Sequence, residues 1–155
     1  MTATNHALTG AFIGLAVGNP WIAVPAAFAS HFVLDALPHY NPAGNSDIEI
    51  IKSKKFFYIQ IVAGASLCTL IVLVLFLAHP THWLLASVCA FLATSPDLLS
   101  FPRFLHIKRT GKDIRERSWF WRFHHIIQWF QRPIGWVVEL AWLVAILVLL
   151  IPFLR

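Results

Sequence analysis

Long apolar stretches separated by short polar turns dominate the chain and predict membrane-spanning helices. Residues 56–78 contain no charged side chain, and residues 134–154 contain a single acid, Glu139. A helix needs about 20 residues to cross about 30 Å of hydrocarbon, so each stretch predicts a full span. A weaker span is predicted over residues 82–100, which Pro96 interrupts. We expect a kink or a new turn at this proline, with Ser95 as the cap.

The N-terminal third predicts two shorter helices, over residues 4–17 and 21–37, joined by a Gly-Asn-Pro turn signal at 18–20. Glycine recurs at every fourth position, at Gly10, Gly14 and Gly18. This spacing lets two helix backbones approach closely, so we predict a tight hairpin that either spans the membrane or re-enters it. A cleaved signal peptide is disfavoured because no basic segment precedes residue 30.

Composition supports a membrane protein and excludes several other classes. Hydrophobic residues make up 58% of the 155 residues and charged residues only 12%, against about 25% charged in soluble proteins. So few charges cannot cover a soluble globule, and the apolar content excludes a disordered tail. Cys68 and Cys89 both lie in apolar stretches, so neither a disulfide scaffold nor a zinc finger is predicted.

Basic residues predict the orientation. Three lysines, Lys52, Lys54 and Lys55, precede the third helix. Eight further basic residues follow the fourth: Arg103, Lys108, Arg109, Lys112, Arg115, Arg117, Arg122 and Arg132. The positive-inside rule therefore places residues 38–55 and 101–133 in the cytoplasm of a multi-pass plasma (inner) membrane protein. We interpret the net charge of +5 as the result of basic residues that set the membrane orientation and contact anionic headgroups. We expect no nucleic-acid partner.

A further helix is predicted over residues 118–131, which are rich in aromatic side chains but also contain Arg122 and two histidines. We interpret it as an amphipathic helix lying along the cytoplasmic leaflet. The predicted fold class is thus all-α: one polytopic membrane domain, residues 1–155, with about five transmembrane helices and one interfacial helix.

Ionisable residues within apolar helices are costly and mark functional sites in membrane proteins. The chain has eight: His6, His31, Asp35, His39, Asp97, His124, His125 and Glu139. The predicted topology places all of them at the cytoplasmic leaflet. Because histidine and carboxylate side chains are ligands for divalent ions, we predict a metal centre there, facing the cytoplasm.

His31, Asp35 and His39 follow one another at intervals of one helical turn and share a face. His31 and His39 would lie about 12 Å apart on a straight helix, too far for one ion. Either Pro38 folds His39 back, or Asp35 bridges two ions, as in many hydrolytic centres. Nitrogen and oxygen ligands without thiolate suit Zn²⁺ first, with Mn²⁺ or Fe²⁺ as alternatives, in one or two sites.

Other residues complete the predicted centre. His6 and one histidine of the 124–125 pair would supply nitrogen, and only one of that pair can face the core because helix neighbours point about 100° apart. Asp97 would supply oxygen. The predicted catalytic base is Asp97 or Glu139.

Two arginines, Arg122 and Arg132, are predicted to bind the substrate, since basic residues beside the predicted metal centre would attract a phosphate. Three roles stay open for Glu139. It can be a ligand, a partner that orients a histidine, or an ion-pair partner of one of these arginines.

Four short motifs resemble the YdjM-like family of small membrane-bound, metal-dependent hydrolases. They are Asn5-His6-Ala7-Leu8-Thr9-Gly10, His31-x-x-x-Asp35-x-x-Pro38-His39, Ser95-Pro96-Asp97 and His124-His125. The resemblance implies a multi-pass bacterial or archaeal membrane protein with a His/Asp metal centre. Its polar site would consist of His6, His31, Asp35, His39 and Asp97. Where the family shows His-Arg and then Thr-His-Ser, this chain has only His124-His125 followed by two isoleucines.

Two functions are therefore predicted. One is a membrane-embedded hydrolase acting on a phosphoester of a lipid or lipid-linked substrate. The other is a non-catalytic metal-binding scaffold or partner-binding protein in which the same ligands hold helices together. Catalysis needs an open metal position, whereas a structural site is closed by protein ligands. Ion transport is disfavoured, because the predicted outer half of every helix is apolar.

Overall fold

The computed structural model describes residues 1–41 and 54–155, and the predicted all-α class is confirmed. Within these residues six α-helices follow one another: α1 (Ala3–Val17), α2 (Pro20–Ala36), α3 (Lys54–Ala78), α4 (Trp83–Thr110), α5 (Trp119–Ile127) and α6 (Trp136–Leu150). Short 3₁₀ turns cover Arg115–Arg117, Pro133–Gly135 and Ile151–Phe153. The predicted orientation depends in part on Lys52, Lys54 and Lys55. Lys52 lies outside the described residues, as do the side chains of Lys54 and Lys55.

Helix α4 is the central element, and the glycine face of α1 packs on it. A Cβ at Gly10 would lie 2.3 Å from the carbonyl oxygen of Cys89, and one at Gly14 would lie 2.4 Å from the Cα of Ala86. The two backbones therefore touch, as the glycine spacing predicts. The glycine face contacts α4 rather than the expected partner α2, against which α1 also packs.

Helix α4 passes through Pro96 without ending, so no new helix begins there, and the predicted kink stays a prediction. Proline lacks the N–H that would bond to the carbonyl four residues earlier, here that of Leu92. The hydroxyl of Ser95 donates to this carbonyl at 2.8 Å instead. Ser95 thus supplies a hydrogen bond to the Leu92 carbonyl, which Pro96 cannot. The helix continues to Thr110, ten residues beyond the predicted end.

The predicted helix over 118–131 ends earlier, at Ile127, because the following residues join a short parallel bridge. Strand β1 (His39–Tyr40) pairs with β2 (Gln131–Arg132), with His39 opposite Gln131. Gly135 lies directly under this bridge, since a Cβ there would be 2.2 Å from the carbonyl carbon of His39. The bridge ties the end of α2 to the start of α6.

Three helices within the described residues are long and apolar enough to cross a membrane: Tyr58–Ala78, Trp83–Thr110 and Pro133–Phe153. The hairpin helices α1 and α2 have 15 and 17 residues, or about 22 and 26 Å at 1.5 Å per residue. They fall short of a 30 Å hydrocarbon core, so membrane association rests on three helices and the figure of five spans stays a prediction.

Candidate metal centre

The antiparallel arrangement of the helices brings polar side chains to one end of the bundle. His6 lies in the first turns of α1, and His31 and Asp35 lie in the last turns of α2. Asp97 lies midway along α4, and α5 crosses this end with His124 facing inward. Residues far apart in sequence thus meet at the depth that their helix positions predict.

Four of the predicted ligands form one cluster, which we call the metal centre: His31, Asp35, Asp97 and His124. Nε2 of His31 lies 3.2 Å from Oδ2 of Asp35 and 3.0 Å from Nε2 of His124. Nε2 of His124 lies 3.0 Å from the same Asp35 oxygen. Oδ1 of Asp97 lies 3.8 Å from each imidazole nitrogen. One ligand atom from each residue can therefore face a common point.

The hydrogen bonds at the far side of each ring fix its orientation. Nδ1 of His31 donates to the carbonyl oxygen of Ala93 at 2.8 Å. The hydroxyl of Ser100 donates to the carbonyl oxygen of Pro96, so it accepts from Nδ1 of His124, at 3.0 Å. Each imidazole thus has Nδ1 engaged on its far side and directs Nε2 into the centre.

Two imidazole nitrogens and a carboxylate oxygen at 3.0–3.2 Å from one another are held together by a proton or by a metal ion placed among them. Zn²⁺ bound at about 2.0–2.1 Å in tetrahedral geometry requires its ligand atoms to be about 3.3 Å apart. Five of the six separations among these ligand atoms run from 3.0 to 3.8 Å, and all six are within 4.8 Å. The four residues therefore fit a divalent transition-metal ion with two nitrogen and two oxygen ligands.

Asp35 also uses its second oxygen. Oδ1 accepts from Nε2 of His6 at 3.1 Å and is in contact with the amino group of Met1. The His6 ring stacks on that of His31, with centroids 4.0 Å apart. Its Nδ1 is buried and has no hydrogen-bond partner within residues 1–41 and 54–155. His6 is thus next to the metal centre on the far side of Asp35, outside the four-residue cluster.

Two other predicted site residues lie at the same end without joining the cluster. His39 is buried on β1, and its Nδ1 donates to the carbonyl oxygen of Leu37 at 2.9 Å. Glu139 is buried in the first turn of α6, where its carboxylate accepts the backbone N–H of Thr2 at 3.2 Å and of Tyr40 at 2.9 Å. In this arrangement Glu139 joins the chain's start to β1. Its role as a base stays a prediction.

The remaining predicted residues lie outside the cluster. His125 is half-buried and points about 100° away from His124 around α5, and its Nε2 contacts the guanidinium of Arg115. Arg122 is exposed and pairs with Glu116 at 3.2 Å. Arg132 is exposed, with its guanidinium 5.4 Å from the centre of the Phe130 ring. The structure therefore decides which histidine of the pair faces the metal centre.

Sequence reasoning missed the residues that orient the ligands. The side-chain amide of Gln128 donates to Oδ2 of Asp35 at 2.9 Å, and Ser100 holds the His124 ring. Gln128 could have been found, because it follows His124 by four residues and so shares its helix face. The carbonyl of Ala93 leaves no signal in an amino-acid sequence.

A buried ion pair holds the segment that delivers α5 to the metal centre. Arg103, at the exit of α4, donates through Nε at 2.7 Å and through a terminal nitrogen at 2.6 Å to the two oxygens of Asp113. Arg115 adds a third contact to Asp113, at 2.9 Å. Burial by itself would raise the pKa of Asp113, but the hydrogen bonds and charges of the two arginines outweigh it and lower the pKa to about 2.

Replacing Asp113 with asparagine should loosen α5 and weaken metal binding by up to about tenfold, the lower end of the effect of losing a supporting contact. Because the folded-state pKa lies below the usual 3.8, the ion pair stabilises the fold above pH 4 and is lost as the pH falls towards 2. The measurements are trypsin cleavage after Arg115 or Arg117 and a metal titration. Glu116→Gln, in the same segment but exposed, is the control and should change neither.

No protein-family model, curated protein or solved structure matches this chain.

Proposed function

We propose that the protein is a membrane-embedded, metal-dependent hydrolase that cleaves a phosphoester of a lipid or lipid-linked substrate. One observation carries the proposal: two histidines, each with Nδ1 engaged by a hydrogen bond on its far side, direct Nε2 at the carboxylate of Asp35. The YdjM-like resemblance supports the same reaction class. Zn²⁺ is the proposed ion, since the ligands are nitrogen and oxygen only.

The exposure of the ligands favours catalysis over a purely structural ion. The side chains of His31, Asp35 and His124 are at most 5% exposed, whereas that of Asp97 is 34% exposed. Asp97 also lies farther from the imidazole nitrogens, at 3.8 Å. With Asp35 and the two histidines as the three protein ligands, the fourth position would face the Asp97 side and stay open to water or a substrate oxygen, with Asp97 beside it.

The chemistry divides between the ion and the chain. A divalent ion supplies a Lewis acid for the phosphoryl oxygen and activates water. Asp97, on the open side, would accept a proton from the attacking water and return it to the leaving alcohol. Asp35 and the two histidines are held by buried hydrogen bonds and keep the geometry fixed. The products are the lipid alcohol and the released phosphate.

The alternative function is a non-catalytic metal-binding scaffold. It is favoured by the origin of the four ligands, because His31 and Asp35 belong to α2, Asp97 to α4 and His124 to α5. An ion there would join three helices. In that case removal of the ion lowers stability and no substrate is hydrolysed.

We further propose that this end of the bundle faces the cytoplasm of a plasma (inner) membrane. The basic residues between α4 and α6 support this orientation through the positive-inside rule and would contact anionic headgroups. The exposed apolar side chains of α5, at Trp119, Phe123 and Ile126, suit the interface. A Lys112→Cys variant should react with thiol reagents from the inside of the cell only.

The test compares His124→Ala with His125→Ala. The two side chains point in different directions, so only His124→Ala should reduce bound metal below one ion per chain. In that variant, hydrolysis of p-nitrophenyl phosphate or of phosphatidic acid should fall as well. Elemental analysis and phosphate release are the measurements. Wild-type protein that binds no Zn²⁺ or Mn²⁺ after purification without chelators contradicts the metal centre. Metal-loaded protein that hydrolyses neither substrate, and melts lower when the ion is removed, supports the scaffold.

A further inference from the structure

An apolar groove lies between α1, α3 and α4, on the side of the bundle where the membrane-spanning helices are exposed. Its volume is about 260 Å³. Ala7 of α1 forms its floor, Cys68, Thr69 and Val72 line it from α3, and Ala90 and Thr94 line it from α4. Thr69 and Val72 are exposed, so the groove opens sideways rather than towards either end of the bundle.

The groove leads to the open side of the metal centre. Ala90, Thr94 and Asp97 are spaced by four and three residues and therefore form one stripe along α4. The stripe extends about 10 Å along the helix axis, from the groove to the most exposed ligand. On α1, Ala7 of the groove floor is the neighbour of His6.

The polar groups of the groove are already satisfied within the protein. The hydroxyl of Thr69 donates to the carbonyl of Ala65 at 2.8 Å, and that of Thr94 donates to the carbonyl of Phe91 at 2.8 Å. The thiol of Cys68 lies 3.7 Å from the carbonyl oxygen of Ala3. A ligand in the groove meets methyl, methylene and ring surface, so hydrocarbon is the chemistry that fits it.

We infer that this groove binds the acyl chain of the substrate, with the phosphoester at the metal centre beside Asp97. This inference rests on the proposed hydrolase function and adds the substrate class, a lipid with a long hydrocarbon chain that enters sideways from the bilayer. The stripe from Asp97 to Ala90 has the direction of a bilayer lipid. The phosphate of such a lipid lies at the interface, and its acyl chain would run inward along the stripe.

The test fills the groove with a large side chain. Thr69→Trp places an indole in the groove, whereas Leu70→Trp places one about 100° further around α3, outside the groove and exposed, and is the matched control. The probe is phosphatidic acid with a photoreactive diazirine in one acyl chain, in phosphatidylcholine vesicles. Thr69→Trp should reduce cross-linking to residues 68–94 by about tenfold, a loss of 1.4 kcal/mol in binding. The control should leave it at the wild-type level.

Two readouts separate this inference from the proposed function. Metal content should be equal in both tryptophan variants and in the wild type. The preference for phosphatidic acid over p-nitrophenyl phosphate should fall in Thr69→Trp only. Cross-links outside residues 68–94, or equal cross-linking in the two variants, overturn the groove as an acyl-chain site while hydrolysis stands. Cross-linking in the groove by protein that hydrolyses neither compound overturns the substrate assignment and the hydrolase together, leaving only a lipid-binding groove.

Discussion

Asp35→Asn should abolish metal binding at the metal centre, with a loss of apparent affinity of more than about 100-fold, beyond the range for supporting residues. The amide keeps the shape of the carboxylate but removes the negative charge. It also places a possible donor where Oδ2 now faces two imidazole nitrogens at 3.0 and 3.2 Å. No other ligand contacts both histidines so closely. Chelator competition on detergent-purified protein measures the affinity.

The matched control is Asp97→Asn, which also removes one carboxylate from the metal centre. Because Asp97 lies 3.8 Å from both imidazole nitrogens and is partly exposed, the loss of affinity should be smaller than for Asp35→Asn. Phosphate release should nevertheless fall in both variants if Asp97 acts as the base. Equal metal content in Asp35→Asn and the wild type would contradict the ligand set derived from the structure.

Gly10→Ala should destabilise the bundle by about 2 kcal/mol or more, in the upper range for overpacked cores. The new methyl group would lie 2.3 Å from the carbonyl oxygen of Cys89 and 2.8 Å from the Cβ of Ala93. Backbone cannot move aside as a flexible side chain does, so α1 and α4 must separate. The carbonyl of Ala93 holds His31, so metal affinity should fall as well.

The control for this prediction is Gly64→Ala on α3. A Cβ there meets the Cβ of Ala3 at 3.5 Å, an ordinary van der Waals contact, and alanine is the better helix former by about 1 kcal/mol. Gly64→Ala should therefore be neutral or stabilising. Thermal unfolding in detergent, followed by loss of helical circular dichroism, compares the two. Equal Tm values for both variants would show that the α1–α4 contact is looser than its geometry requires.

Much of the metal centre could be predicted because its residue types are rare in apolar helices. His31 and Asp35 are one turn apart on α2, and the structure places their ligand atoms 3.2 Å apart. The direction of His124 could not be read from the sequence, since it depends on how α5 turns over the bundle. His39 leaves the helix at Pro38, as the sequence predicts, but its path follows β1, which pairs with residues more than 90 positions away.

The fold was predicted less completely where one sequence pattern is compatible with packing against several different helices. Glycine at every fourth position shows that α1 has a close neighbour, but does not show which helix that is. The two-residue turn after α1 favours α2, whereas the small side chains of α4 at Ala86 and Ala90 decide in favour of α4. Likewise Pro96 suggests a break, and only the hydrogen bond from Ser95 explains its absence.

The metal centre joins residues that leave the ribosome at very different times. His31 and His124 are 93 positions apart, yet their Nε2 atoms are 3.0 Å apart. During synthesis α2 and α4 can pair as soon as α4 is inserted, whereas the last ligand arrives with α5. Metal loading would therefore be a late step of biogenesis, following the synthesis of α1 to α5. Chains that stall before residue 124 contain three of the four ligands and should escape metallation.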